Sequence, residues 1–151
     1  MIEVETLVQC TPERLFDLKL DMDAHSASLA ATGETATTSS GLPQLDLGDE
    51  VTFRARHLGL TWRMTSRVTA FDRPHRFVDQ QVRGPFRQLR HEHTFEAIDP
   101  QTTRMTDRME LVAPLGPLGR LAMRVILTSY MTKLLRTRAA AIKSLAEASQ
   151  R

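Results

Sequence analysis

The hydrophobic pattern opens with a period of two. Ile2, Val4, Thr6 and Val8 fall on one face against Glu3, Glu5 and Leu7 on the other, which predicts a strand over Ile2–Gln9. Thr11 then stands as an N-cap, with Pro12 at the first helical position and Glu13 in the first turn. Leu15, Phe16, Leu18 and Leu20 supply the apolar side of a short helix ending near Asp21. The stretch from Asp23 to Gly33 is small and polar, which fits a loop or a broken second helix. The Thr-rich run from Glu34 to Ser40 fits an edge strand.

From Gly48 the alternation sharpens. Val51, Phe53, Ala55 and His57 alternate with Thr52, Arg54 and Arg56, and Leu58-Gly59 turns the chain. Leu60, Trp62, Met64, Ser66 and Val68 then alternate with Thr61, Arg63, Thr65 and Arg67. Asp72-Arg73-Pro74 marks a turn before a strand over Arg76–Arg83, which Gly84-Pro85 breaks. Leu89, His91, His93 and Phe95 share one face of the next strand. After Asp99-Pro100, Met105, Asp107, Met109 and Leu111 line one face of the last. Successive strands joined by tight turns predict an antiparallel meander.

Beyond Pro114 and Gly116-Pro117 the period changes. Leu118, Leu121, Ala122, Val125, Ser129, Thr132, Leu135, Ala139 and Ile142 recur at helical spacing. One helix from Leu118 to about Ala148 would be roughly 45 Å long at ~1.5 Å per residue. Its first half also carries Met123, Ile126, Leu127, Tyr130, Met131 and Leu134, so it is expected to be covered on more than one side. Its second half, rich in Arg, Lys and Ala, is expected to be amphipathic and more exposed. The elements add up to a single α+β domain over residues 1–151, a curved antiparallel sheet wrapped around a long C-terminal helix. Where the two surfaces diverge, an internal cavity for a small apolar molecule is expected.

Composition narrows the class. The chain has 151 residues, 41% hydrophobic and 25% charged, enough to build a full core without staples. The lone Cys10 excludes an internal disulfide framework and fits a reducing compartment. Met1 to Gln9 lacks the continuous apolar core of a signal peptide, and no run approaches the ~18 apolar residues of a spanning helix. The expected location is the cytoplasm, with no membrane span. The net charge is only +2, and Arg alternates with acids, as in Asp107-Arg108-Met109-Glu110. Arg83, Arg87 and Arg90 cluster with a single aromatic, Phe86, which reads as a solvated face; no nucleic-acid partner is expected. A homodimer stays open.

Several segments carry a resemblance in their order and spacing. They are Phe77-Val78-Asp79-Gln80-Gln81-Val82-Arg83-Gly84-Pro85-Phe86, Arg90-His91-Glu92-His93-Thr94-Phe95, Thr103-Arg104-Met105-Thr106-Asp107 and Pro114-Leu115-Gly116-Pro117-Leu118-Gly119. Over its whole length the chain resembles the START/polyketide-cyclase (SRPBCC) superfamily, whose architecture is the helix-grip fold. The resemblance implies a ligand-holding cavity. Members bind lipids, quinones, hormones or polyketides, and some cyclise or dehydrate aromatic polyketides. A polyketide cyclase's catalytic set does not map onto this chain residue by residue, so no catalytic residue is assigned.

The candidate ligand contacts are the inward polar and aromatic positions. Period two places His91 and His93 beside Leu89 and Phe95, on the face expected to line the cavity. A buried imidazole needs a polar partner or a ligand, and Asp107 on the neighbouring strand can supply one. The pair either ties strands together or orients a ligand. Trp62, Phe53 and Phe86 can stack on a planar molecule or serve as plain core, and His57 shares the face of Phe53. Tyr130 lies in the apolar half of the long helix, where its hydroxyl needs a partner or a ligand. His25 and Ser28 are expected in a loop over the cavity mouth, and His75 in a solvated turn. Two histidines at i and i+2 can ligate zinc with His25 or His57, but no Cys or carboxylate stands at a recognisable ligand spacing. No metal and no cofactor is assigned. Three functions remain open. The first is binding of a small hydrophobic or aromatic molecule. The second is a cyclase or dehydratase with His91 or His93 as base and Tyr130 or Asp107 as acid. The third is a protein or RNA interaction module using the Arg-rich surface.

Overall fold

Alternation of inward and outward side chains decides most of the architecture. The computed structural model describes residues 1–29, 33–57, 59–113 and 117–148. Among them are β1 (Ile2–Val8), β2 (Thr35–Thr38), β3 (Glu50–His57), β4 (Leu60–Asp72), β5 (Arg76–Arg83), β6 (Gln88–Asp99) and β7 (Thr102–Val112). These strands join in one antiparallel sheet of order β1-β7-β6-β5-β4-β3-β2. From β2 to β7 each strand pairs with the next, so this part is a meander, and β1 completes the far edge against β7. Three helices, α1 (Pro12–Leu20), α2 (Met22–Leu29) and α3 (Pro117–Ala148), accompany the sheet. None of the described helices is long and apolar enough to cross a membrane.

The inward face of the central strands follows the expected period. Leu89, His91, His93 and Phe95 of β6, and Thr103, Met105, Asp107 and Met109 of β7, are all buried. Strand β4 departs from the simple alternation. Its pairing with β5 shifts register between Thr65 and Ser66 and again between Val68 and Ala70. The second shift carries the inward phase from Val68 to Phe71, which packs against the core. Such bulges bend a strand, which suits a sheet that curves around a helix.

Helix α1 plugs one end of the sheet. Its Leu15, Phe16 and Leu20 are buried, and the Phe16 ring meets Phe71, Phe77 and Phe95 edge-on at centroid distances of 5.1, 5.5 and 5.5 Å. Thr11 occupies the N-cap position but makes no side-chain capping bond; its carbonyl accepts from Leu15 N–H at 3.1 Å. Of the two alternatives for the segment after Asp21, the structure has the second, a short separate helix over Met22–Leu29. Asp21 Oδ1 accepts from the backbone N–H groups of Asp23 at 2.8 Å and Ala24 at 3.2 Å, which caps α2.

Helix α3 is continuous and its second half is amphipathic, as the spacing predicts, but its first half is less covered than expected. A buried stripe runs from Met131, near the middle, through Leu135, Ala139, Ile142 and Ala146 of the second half. Lys143 Nζ donates to the Leu7 carbonyl at 2.8 Å, and Gln9 N–H donates to Glu147 Oε1 at 3.0 Å, which ties this half to β1. In the first half Leu121, Val125 and Ile126 are 68%, 68% and 62% exposed. An apolar helix face predicts burial only if some layer covers it, and the described chain brings no second layer there. The expected stripe through Leu121, Val125 and Ser129 faces out, while Leu127, Tyr130 and Leu134 pack against the core. Both rows are helically spaced, so periodicity alone could not choose between them.

Candidate functional site

A cavity of about 580 Å³ lies between the sheet and α3, within the ~300–1,000 Å³ range of small-molecule sites. Phe53, Trp62, Met64, Phe77, Phe86 and Leu89 line it from the sheet side. Leu127, Tyr130, Met131, Leu134 and Leu135 line it from α3. Gln81 shapes one rim. Its Nε2 donates to the Phe86 carbonyl at 2.7 Å, which closes the β5–β6 connection and holds Phe86 at the cavity. A β-carbon at Gly84 would collide with that Gln81 amide, so the turn takes glycine. Phe86 thus belongs to the cavity rather than to the Arg83 and Arg87 surface.

One wall of this apolar space is polar, and strand register builds it. Asp79 of β5 stands opposite His91 of β6, and His93 stands between Phe77 of β5 and Asp107 of β7. His93 Nδ1 lies 2.6 Å from Asp107 Oδ1, and its Nε2 lies 3.2 Å from Asp79 Oδ1. Neutral imidazole has one N–H, so only the doubly protonated ring donates to both carboxylates at once. The ring also stacks on Phe77 at 4.1 Å. Lys19 of α1 reaches the same Asp107 oxygen with its Nζ at 2.9 Å. His91 Nε2 is buried 3.3 Å from that oxygen but not in hydrogen-bonding alignment.

The electrostatics follow from burial and these partners. Asp107 has a side chain 1% exposed; burial alone would raise its pKa, yet the Lys19 charge and the two imidazoles hold it well below the ordinary carboxylate range. Asp79 is also lowered against the effect of its burial, by the His93 hydrogen bond and the charges around it. Burial, and then the charge of His93, bring His91 down to about 4, so it is neutral near pH 7. Elsewhere on the cavity wall Arg138 Nη2 pairs with Glu34 Oε2 at 2.6 Å, the Glu34 side chain being fully buried. Burial, and then the negative charge of Glu34, raise the Tyr130 pKa.

Of the residues singled out in the sequence, His91, His93, Asp107, Trp62, Phe53, Phe86 and Tyr130 all line this one cavity. The side chains of His57 and Ser28 lie outside the described residues. His25 is not a covering-loop residue: it sits on α2, its Nε2 is buried, and it packs on Phe53 at 5.0 Å. Sequence reasoning missed Asp79, Lys19, Glu34 and Arg138. Asp79 shares the period-two face of Phe77, and Lys19 falls at helical spacing with Leu15 and Phe16, so both carried an inward signal. Glu34 and Arg138 carried none, since their pairing spans |i−j| = 104.

Known proteins place this arrangement. The family described as polyketide cyclase/dehydrase and lipid transport matches residues 1–147. The chain belongs to that family. Solved structures share its helix-grip fold. A Thermus thermophilus protein, 14% identical, superposes with a TM-score of 0.83 over 99% of both chains. The Zhui aromatase/cyclase from Streptomyces sp. R1128, 15% identical, reaches 0.82 over 99% of this chain and 94% of its own. A START superfamily protein from Mycobacterium smegmatis, 12% identical, reaches 0.70 over 97% of this chain and 96% of its own. No curated protein matches this family member by sequence.

Proposed function

We propose that the protein holds one small hydrophobic or aromatic molecule in the cavity, with that molecule's polar end at Asp79, His91, His93 and Asp107. The observation that carries this reading is the apolar space of about 580 Å³ walled on one side by a buried imidazole–carboxylate cluster. Five aromatic side chains, Phe53, Trp62, Phe77, Phe86 and Tyr130, line the space and suit a planar body. A hydroxyl or keto oxygen can meet the neutral His91 ring, which lines the cavity.

Trp62, the sole tryptophan, lines the cavity and reports occupancy directly. Titration with quinones, flavonoids, fatty acids and aromatic polyketides should give at least one saturable fluorescence change near micromolar affinity, about −8 kcal/mol. No saturable change and no calorimetric heat across that panel would sink the proposal.

A second reading is proton-transfer catalysis of the cyclase or dehydratase type. It is favoured by His93, which Asp107 orients through Nδ1 while Lys19 holds Asp107 in place. Asp107, held ionised, suits this orienting role and not that of an acid. Incubation with a linear poly-β-ketone thioester, followed by product analysis, separates the readings. Ring formation that a His93→Gln variant loses while Trp62 still reports binding marks an enzyme.

A further inference from the structure

We propose that Asp79, His91 and His93 form a binding site for one divalent first-row transition ion of the zinc and ferrous-iron class. The proposal goes beyond the organic ligand, and it stands on the cluster's geometry whichever molecule fills the cavity.

The three facing atoms are Asp79 Oδ1, His91 Nδ1 and His93 Nε2. Asp79 Oδ1 lies 3.2 Å from His93 Nε2 and 3.9 Å from His91 Nδ1, and one ligand atom from each residue falls within 4.8 Å of the others. Around a tetrahedral ion with ligands at ~2.0–2.1 Å, neighbouring donor atoms stand about 3.4 Å apart. Two of the separations stand near that value and the third lies within 4.8 Å, so admitting the ion takes side-chain adjustment within the cluster. Two histidines and one carboxylate leave coordination positions open, and all three residues line the cavity.

The surrounding shell is what such a site requires. His93 turns its other nitrogen to a carboxylate, its Nδ1 lying 2.6 Å from Asp107 Oδ1, while His91 Nε2 lies 3.3 Å from the same oxygen without hydrogen-bonding alignment. A histidine that donates its second N–H to a carboxylate presents its free nitrogen to the metal in a fixed orientation. Lys19 holds Asp107 in turn, and Phe77 stacks on His93.

Sequence spacing hides the site because its carboxylate comes from the neighbouring strand. Asp79 is not near the histidines along the chain; the β5–β6 register sets it opposite His91.

The test uses the full chain without a polyhistidine tag, stripped by chelator and titrated with Co²⁺ under visible absorption, then challenged with Zn²⁺. One equivalent of Co²⁺ per chain should give d–d bands that Zn²⁺ abolishes. Asp79→Asn and His91→Gln, each checked for folding by near-ultraviolet circular dichroism, should lose this stoichiometric binding. Asp107→Asn should weaken it by about 10- to 100-fold. No saturable binding in the parent chain overturns the proposal. So does unchanged affinity in both folded ligand variants, and the parent titration decides even if a variant fails to fold. Because the readout is cobalt absorption, failure of the organic-ligand screen leaves this result intact.

Discussion

The polar and aromatic parts of the cavity invert the usual distribution of burial. Asp107 and His93 are 1% and 5% exposed, while Phe53, Trp62, Phe86 and Tyr130 are only half-buried. In an ordinary core the aromatics would be covered first, because they offer the largest apolar area. Here the charged cluster belongs to the rigid centre of the sheet, on three adjacent strands locked by register. The aromatics stand where their remaining surface faces the cavity. The difference separates two jobs: the cluster's mutual bonds are part of what holds the fold, and the aromatic surface is left for a ligand to cover.

The strongest way to break this comparison is to remove the cluster's central acceptor. Asp107→Ala leaves Lys19 and the imidazoles without their shared carboxylate in a dry interior. Stripping one partner from a buried charge pair costs about 3–5 kcal/mol. Urea unfolding should show a loss of that size. A loss below about 1 kcal/mol would mean that water reaches the cluster and that its burial does not govern its energetics.

That cluster also marks where the sequence was legible. Alternation placed His91, His93 and Asp107 on inward faces, because period two survives wherever strands pair without bulges. The long helix and the meander were legible for the same reason. Asp79 was harder, since its value lies in standing opposite His91, and pairing register is not written in either strand alone. The bulges of β4 were invisible because they come from how β4 meets β5. Asp21 shows the opposite case: a signal present in the chain but unused, since an aspartate just before a small polar run is a standard helix cap. The first half of α3 was misjudged because spacing reports a helix's own apolarity and not whether another layer arrives to cover it.

A pH scan sharpens the comparison through a third group beside the aromatics. His25 packs on Phe53. Burial first, then the positive charges of Arg138 on α3 and Lys19 on α1, lower its pKa to about 3, against the opposing charge of Asp79 and with a further lowering from His93. In the unfolded chain it protonates near ~6.5. Between those values the unfolded state binds more protons, so this contribution to stability is complete above ~6.5 and falls as pH drops toward 3. At pH 5 the loss from this group should be about 2 kcal/mol. His25→Leu should reduce the slope between pH 7 and pH 5, leaving the part that His91, lowered to about 4, contributes in the same window. Asp79 and Asp107, whose pKa values are lowered, act below ~3.8, in a different window. An unchanged slope in His25→Leu would show that His25 is solvated in the folded state.

The aromatic side of the comparison makes a smaller demand on stability and a larger one on binding. Phe86→Ala removes a half-buried ring from the cavity lining. Unfolding in the absence of ligand should move by about 1 kcal/mol. Affinity for whichever molecule shifts Trp62 fluorescence should fall about tenfold, equivalent to about 1.4 kcal/mol. A variant that loses several kcal/mol of stability while binding unchanged would reverse the division of labour drawn above.

The smallest effect is expected on an exposed apolar surface that takes no part in the cavity or the core. Leu121 and Val125 are both 68% exposed on the first half of α3. A side chain already in water gives up little hydrophobic free energy when it is made polar, and surface changes away from special features usually stay within ~0.5 kcal/mol. Leu121→Ser with Val125→Ser should therefore leave the urea midpoint of the dilute protein nearly unchanged, at equal slope. Leu135→Ala, on the gripped half of the same helix, provides the scale, because deleting a buried leucine costs about 2–5 kcal/mol. Both variants delete apolar side-chain atoms, at exposed sites in one and a buried site in the other, so their contrast measures how far the sheet's grip extends along α3. A second copy of the chain seated on the exposed face would change the outcome in a recognisable way. The parent's midpoint would then rise with protein concentration, and the double variant would abolish that rise while leaving the dilute limit in place. A midpoint independent of concentration in both proteins leaves the face of α3 that carries Leu121 and Val125 uncovered, with the helix held by its opposite face and its second half.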